Sequence, residues 1–146
     1  MSVPCVLGDP EPLREALVHI VGRNAELTAR LEPVDRLTVE TKGRFGRTHR
    51  EERYLGVECA HFVDIDDGSG RFELTVHHPA GWPALAAGPP TPVGSRLTQV
   101  EDDYFIVELA LAASPAQAAA EAMALAALLF ADGVAPAWQV TIVDNT

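Results

Sequence analysis

What this chain has little of sets its class. Among its 146 residues are two cysteines, Cys5 and Cys59. Two thiols cannot build the multi-bridge frame of a small secreted scaffold, and a reducing cytosol is their simplest setting. Long hydrophobic runs are missing too. The longest with helical character, AMALAALLFA at 122–131, falls well short of the ~20 residues that a spanning helix needs. The N-terminus, MSVPCVLGDPEPLRE, has neither a basic leader nor a long apolar segment, which argues against a secretion signal. Positive charge is scarce: eleven Lys and Arg face 21 Asp and Glu, for a net charge of -10. From Leu97 to Thr146 there is no cation, against seven acids. A surface this acidic repels nucleic acid and anionic lipid and attracts basic proteins at long range. The expectation is a cytoplasmic protein that binds neither nucleic acid nor membrane.

Signature motifs are equally absent. No GxGxxG or GxxxxGK[ST] follows a strand, no serine sits in GxSxG, and no CxxC or HExxH suggests a metal. DIDDGSG, 64–70, lacks the length and the closing glutamate of a calcium loop. Neither a metal nor a cofactor is expected. No motif names a reaction.

What is present suits one globular domain over 1–146: hydrophobic content of 47% is too high for a disordered chain. VPCVL, 3–7, reads as a short strand. Asp9-Pro10 opens a helix whose stripe of Leu13, Leu17, Ile20, Leu27 and Leu31 carries it to Pro33, with Glu26 and Arg30 as an i,i+4 pair. Alternation predicts strands at 36–42, 53–65, 72–78, 102–112 and 137–144, the second and third joined by the turn DDGSGR. Ser114-Pro115-Ala116-Gln117 is a capping box that launches a second helix over 115–132. Between strands lies a Pro-rich loop, 79–96. The order β-α-β-β-β-β-α-β predicts an α+β fold: a largely antiparallel sheet of about six strands with two helices packed on one face. In element order it resembles an enlarged ferredoxin-like sandwich.

Four groups of residues are candidates for function. A hairpin whose paired numbers sum to 137 sets Cys59 opposite His78 and His61 opposite Val76. The three would then share a face as a thiol with imidazole bases, or as metal ligands. As a plain alternative, buried cysteine and histidine are ordinary core residues. The stretch KGRFGRTHREER, 42–53, gathers five of the eleven cations. There Thr48–Glu51 suits one helical turn, and Arg44, Arg47, Arg50 and Arg53 suit an anion site, or pairing with the chain's own acids. Trp82, in the Pro-rich loop, should dock on the core or meet a partner. Glu101, Asp102 and Asp103 form the acidic run best placed to meet a basic partner. Helix 115–132, apolar almost all round, is either buried on several sides or a homodimer interface.

Size, acidity and the missing catalytic motif resemble the general profile of bacterial immunity proteins and other toxin neutralisers. That resemblance implies a non-enzymatic protein that engages a basic partner protein through its surface. The alternative is a small enzyme or ligand-binding protein of specialised metabolism. Its pocket would lie between the sheet and the Pro-rich loop, with Trp82 as a lid.

Overall fold

The structure, a computed structural model, describes residues 2–35, 37–42, 46–130 and 137–146; for 37–42 and 49–53 it describes the backbone alone. In chain order the elements are β1 (Ser2–Cys5), α1 (Glu11–Ile20), β2 (Leu27–Pro33), β3 (Leu37–Lys42), β4 (Thr48–Arg53), β5 (Gly56–Val63), β6 (Gly70–His77), β7 (Arg96–Val100), β8 (Tyr104–Glu108), α2 (Pro115–Phe130) and β9 (Trp138–Asp144). Seven strands make one sheet in the order β1-β9-β2-β5-β6-β8-β7, and β3 and β4 pair as a separate ribbon. Every pairing is antiparallel.

Strict alternation gives the sheet two unlike faces. Val57 and Cys59 on β5, Phe72, Leu74 and Val76 on β6, and Phe105 and Val107 on β8 point to one side and are buried. Both helices cover that side. Leu13, Leu17 and Ile20 of α1 and Ala119, Ala122, Ala126 and Phe130 of α2 join these residues in one continuous core. The opposite face is half-exposed and charged: Arg30 pairs with Glu58 at 2.6 Å, and Glu108 takes both Arg71 and Arg96. The fold is thus α+β, with a seven-stranded antiparallel sheet and two helices.

Several expectations are corrected. The main sheet has seven strands rather than about six, and the likeness to a ferredoxin-like sandwich does not extend to it, since β1 lies at an edge and pairs antiparallel to β9. The first helix stops at Ile20, not at Pro33. Gly22, Asn24 and Ala25 follow with φ of 76°, 48° and 65°, left-handed geometry that no helix continues. Leu27, Ala29, Leu31 and Pro33 then alternate as the inner face of β2, and Arg30 faces Glu58 instead of Glu26. Thr48–Glu51 is not a helical turn: it lies in β4, where Arg50 pairs with Glu40 across the ribbon. The strand expected over 53–65 is interrupted at Tyr54 and Leu55, and β5 resumes at Gly56. Its φ of +144° and a would-be Cβ 2.5 Å from the Leu31 carbonyl leave room for glycine alone. Arg96, the last residue of the Pro-rich loop, opens the edge strand β7, which pairs with β8 through a register shift between Leu97 and Gln99.

The capping box of α2 forms as read: Ser114 N–H donates to Gln117 Oε1 at 2.7 Å, and Gln117 N–H donates to Ser114 Oγ at 3.1 Å. The expected helix end at 131–132, with its stop signals Gly133 and Pro136, lies outside the described residues. No helix among the described residues is long and apolar enough to cross a membrane.

Candidate functional site

The β5–β6 hairpin decides what the cysteine and the histidines can do. Its turn runs from Asp64 to Ser69, where Asp64 N–H donates to the Ser69 carbonyl at 2.8 Å and Asp64 Oδ1 accepts from Asp66 N–H at 2.8 Å. Val63 pairs with Gly70, so Cys59 sits opposite Leu74 and His61 opposite Phe72. The expected Cys59–His78 facing pair is therefore corrected. The inner face is the one expected, because the register differs by an even number of residues, but the partners change. His78 lies four residues beyond Leu74, about 14 Å along a strand at ~3.4 Å per residue.

Cys59 is completely buried, and burial pushes its thiol well above the ordinary range. A neutral, dry thiol is neither nucleophile nor metal ligand. His61 is structural. Its Nδ1 accepts the Gly22 N–H at 2.8 Å, tying the turn after α1 to the sheet, and its ring meets Phe72 edge-on at 4.7 Å. Burial pushes its imidazole below the ordinary value, favouring the neutral form that this bond needs. Among the described residues no three of His, Cys, Asp and Glu are placed to hold a metal.

The basic stretch is not gathered into a described site. Arg47 is exposed, Arg44 lies outside the described residues, and Arg50 and Arg53 are described as backbone positions on β4 only.

The other end of β6 is different. His78 continues the inner face past Val76, but here the Pro-rich segment covers the sheet in place of the helices. Trp82 anchors that segment. Its indole N–H donates to the Leu129 carbonyl at 2.7 Å, and its ring packs 5.9 Å from Phe130, which in turn stacks on Trp138. Leu129 is on the C-terminal part of α2. A single 3-10 turn, Pro83–Leu85, follows. Trp82 thus ties the Pro-rich segment to α2.

Between this segment and the β7–β8 turn opens a cleft of about 430 Å³, whose lining includes His78, Trp82, Leu85, Phe105, Glu101 and Asp102. The acidic turn is pinned to its floor: His78 N–H donates to the Asp103 carbonyl at 2.9 Å, and Glu101 N–H to the Tyr104 carbonyl at 2.8 Å. The His78 side chain is 6% exposed and its ring lies 6.1 Å from Phe105. Its Nδ1 is 2.9 Å from the Pro79 carbonyl. A carbonyl only accepts, so Nδ1 carries a proton, and in the neutral ring Nε2 presents a lone pair. The exposed carboxylates of Glu101, Asp102 and Asp103 form no ion pair among the described residues.

The structure therefore brings Trp82, Glu101 and Asp102, chosen from sequence as partner-binding candidates, to the same cleft as His78, and leaves Cys59 and His61 outside it. Sequence reasoning missed Phe105 and Leu85 as walls. It also missed a cluster on the outer face, where Tyr54 meets His77 edge-on at 4.8 Å beneath the Arg30 guanidinium. The Tyr54 hydroxyl is buried and has no hydrogen-bond partner among the described residues. No protein-family model matches this chain, and no curated protein or solved structure matches it either.

Proposed function

We propose that this is a small acidic, non-enzymatic binding protein that engages a basic partner protein, as toxin neutralisers do, and that the cleft beneath the Pro-rich segment is its docking point. One observation carries the reading: an aromatic wall, a buried histidine and two exposed carboxylates converge on one concave site whose lining residues include no cation. Aromatic walls supply affinity and a like-charged rim supplies steering and selectivity. Native mass spectrometry of the protein drawn gently from its host's lysate, at low and then high salt, tests it. The reading expects a basic protein that leaves as salt rises. A small molecule bound at unit stoichiometry would overturn it.

That second outcome is the alternative, a ligand-binding or catalytic pocket. The cleft's volume supports it, since it falls within the ~300–1,000 Å³ typical of small-molecule sites. For the alternative of a homodimer through 115–132, one exposed line on α2 runs through Ala116, Ala120, Ala124 and Leu128. The same spectrum reads its mass.

A further inference from the structure

We infer that the group this cleft takes is a guanidinium, the side chain of an arginine on the partner protein; the inference rests on the binding reading above. It follows from counting what the lining side chains offer. The Trp82 N–H is spent on the Leu129 carbonyl, and the His78 Nδ1–H on the Pro79 carbonyl. What remains is His78 Nε2, an acceptor on a side chain that is 6% exposed, and the carboxylates of Glu101 and Asp102. Glu101 also accepts from Gln99 Nε2 at 3.2 Å, which leaves most of its lone pairs free.

Every polar side chain left to the cleft accepts and none donates. A carboxylate or phosphate ligand would meet repulsion and find no side-chain donor. A carbonyl would bring a second acceptor against Nε2. Only a donor-only group satisfies all three acceptors, and among protein side chains that means lysine or arginine. The walls choose between them. Trp82, Leu85 and Phe105 are apolar or aromatic, which suits the flat face and aliphatic stem of arginine. A guanidinium is more weakly hydrated than an ammonium, stacks on rings, and donates in a fork that reaches the imidazole and a carboxylate together.

The test is a titration of the full chain with the peptide Gly-Gly-Arg-Gly-Gly, followed by NMR at the Trp82 indole N–H. Matched peptides carrying lysine or citrulline, and free butylguanidinium, serve as comparators. The arginine peptide is expected to shift the Trp82 signal saturably and to bind at least tenfold more tightly than the citrulline peptide, which keeps the shape but loses the charge. Glu101→Gln with Asp102→Asn is expected to weaken it about fivefold, as for exposed charges. His78→Phe is expected to weaken it about tenfold, the cost of one charge-assisted bond. The carboxamide pair sits on the surface and keeps the test meaningful if the histidine variant misfolds.

Equal binding of the citrulline peptide, tighter binding of the lysine peptide, or no saturable shift with arginine would overturn the inference. If that happens while a basic partner still leaves the native complex with rising salt, the binding reading stands and only the guanidinium falls. If butylguanidinium binds as tightly as the peptide, the cation site stands and the protein-partner reading falls.

Discussion

Two stretches of one sheet face, on the same hairpin, carry the same kinds of side chain and end in opposite states. Around Cys59 and His61 the face is sealed by the helices; the thiol is held neutral and the imidazole is committed to a backbone N–H. Past the end of β6, at His78, the face passes beneath the Pro-rich segment, and the histidine lines a cleft rimmed by carboxylates. Chemistry-bearing residues therefore do not make a site by type. What covers them does.

The largest expected effect comes from forcing the sealed end. A methyl at Gly70 would lie 2.5 Å from the His61 ring. Gly70→Ala should cost about 1–3 kcal/mol, the range of core overpacking, read as a lower midpoint in urea unfolding. An unchanged midpoint would mean that His61 moves freely and is not fixed by Gly22.

A smaller effect sharpens the open end. Trp82→Phe keeps a ring but removes the hydrogen bond to the Leu129 carbonyl, and should cost about 1 kcal/mol. The wall then loses its tether, so peptide binding at the cleft should fall as well. Loss of stability with no change in binding would separate Trp82 from the site.

The pH dependence is gentler. The folded His61 holds its proton less tightly than the unfolded one, because burial disfavours the cation. Its contribution to stability is therefore complete above the unfolded value of about 6.5 and is lost as pH falls through the lower folded value. His77 works in the same direction, again chiefly through burial. The melting temperature should fall as the pH drops from 7 toward 5, and His61→Phe should flatten that slope. A slope unchanged by the substitution would assign it elsewhere.

The smallest effect is at Leu128, which is 66% exposed on α2. In a monomer Leu128→Asp should change stability by less than about 0.5 kcal/mol. A halved native mass would instead reveal the dimer.

Local signals were legible in the sequence and distant ones were not. The capping box at Ser114 and Gln117 and the closing strand are set by neighbours in the chain, and their residues announce them; a turn after β5 was announced too, but not its register. β2 went unread because Leu27 and Leu31 are four apart, a spacing that suits one turn of helix as well as two steps of strand. What settles the matter is Ala29 between them, paired with Cys59 and Ile142 on strands remote in sequence. The cleft was half legible. Trp82 and the acids 101–103 stood out singly by type, and a pocket beside the Pro-rich loop was conceived with Trp82 as its lid. Nothing local says that His78 hydrogen-bonds to the backbone of Asp103, or that the indole is tied to the end of α2.

The central claim, that the open end binds and the sealed end does not, is tested most directly by one calorimetric titration. The arginine peptide is added to three proteins: wild type, Glu101→Lys with Asp102→Lys, and Cys59→Ala. The account predicts binding by wild type and by the cysteine variant alike, and none by the charge-reversed chain. Binding that survives the reversal, or that is lost with Cys59 while the protein stays folded, would contradict it.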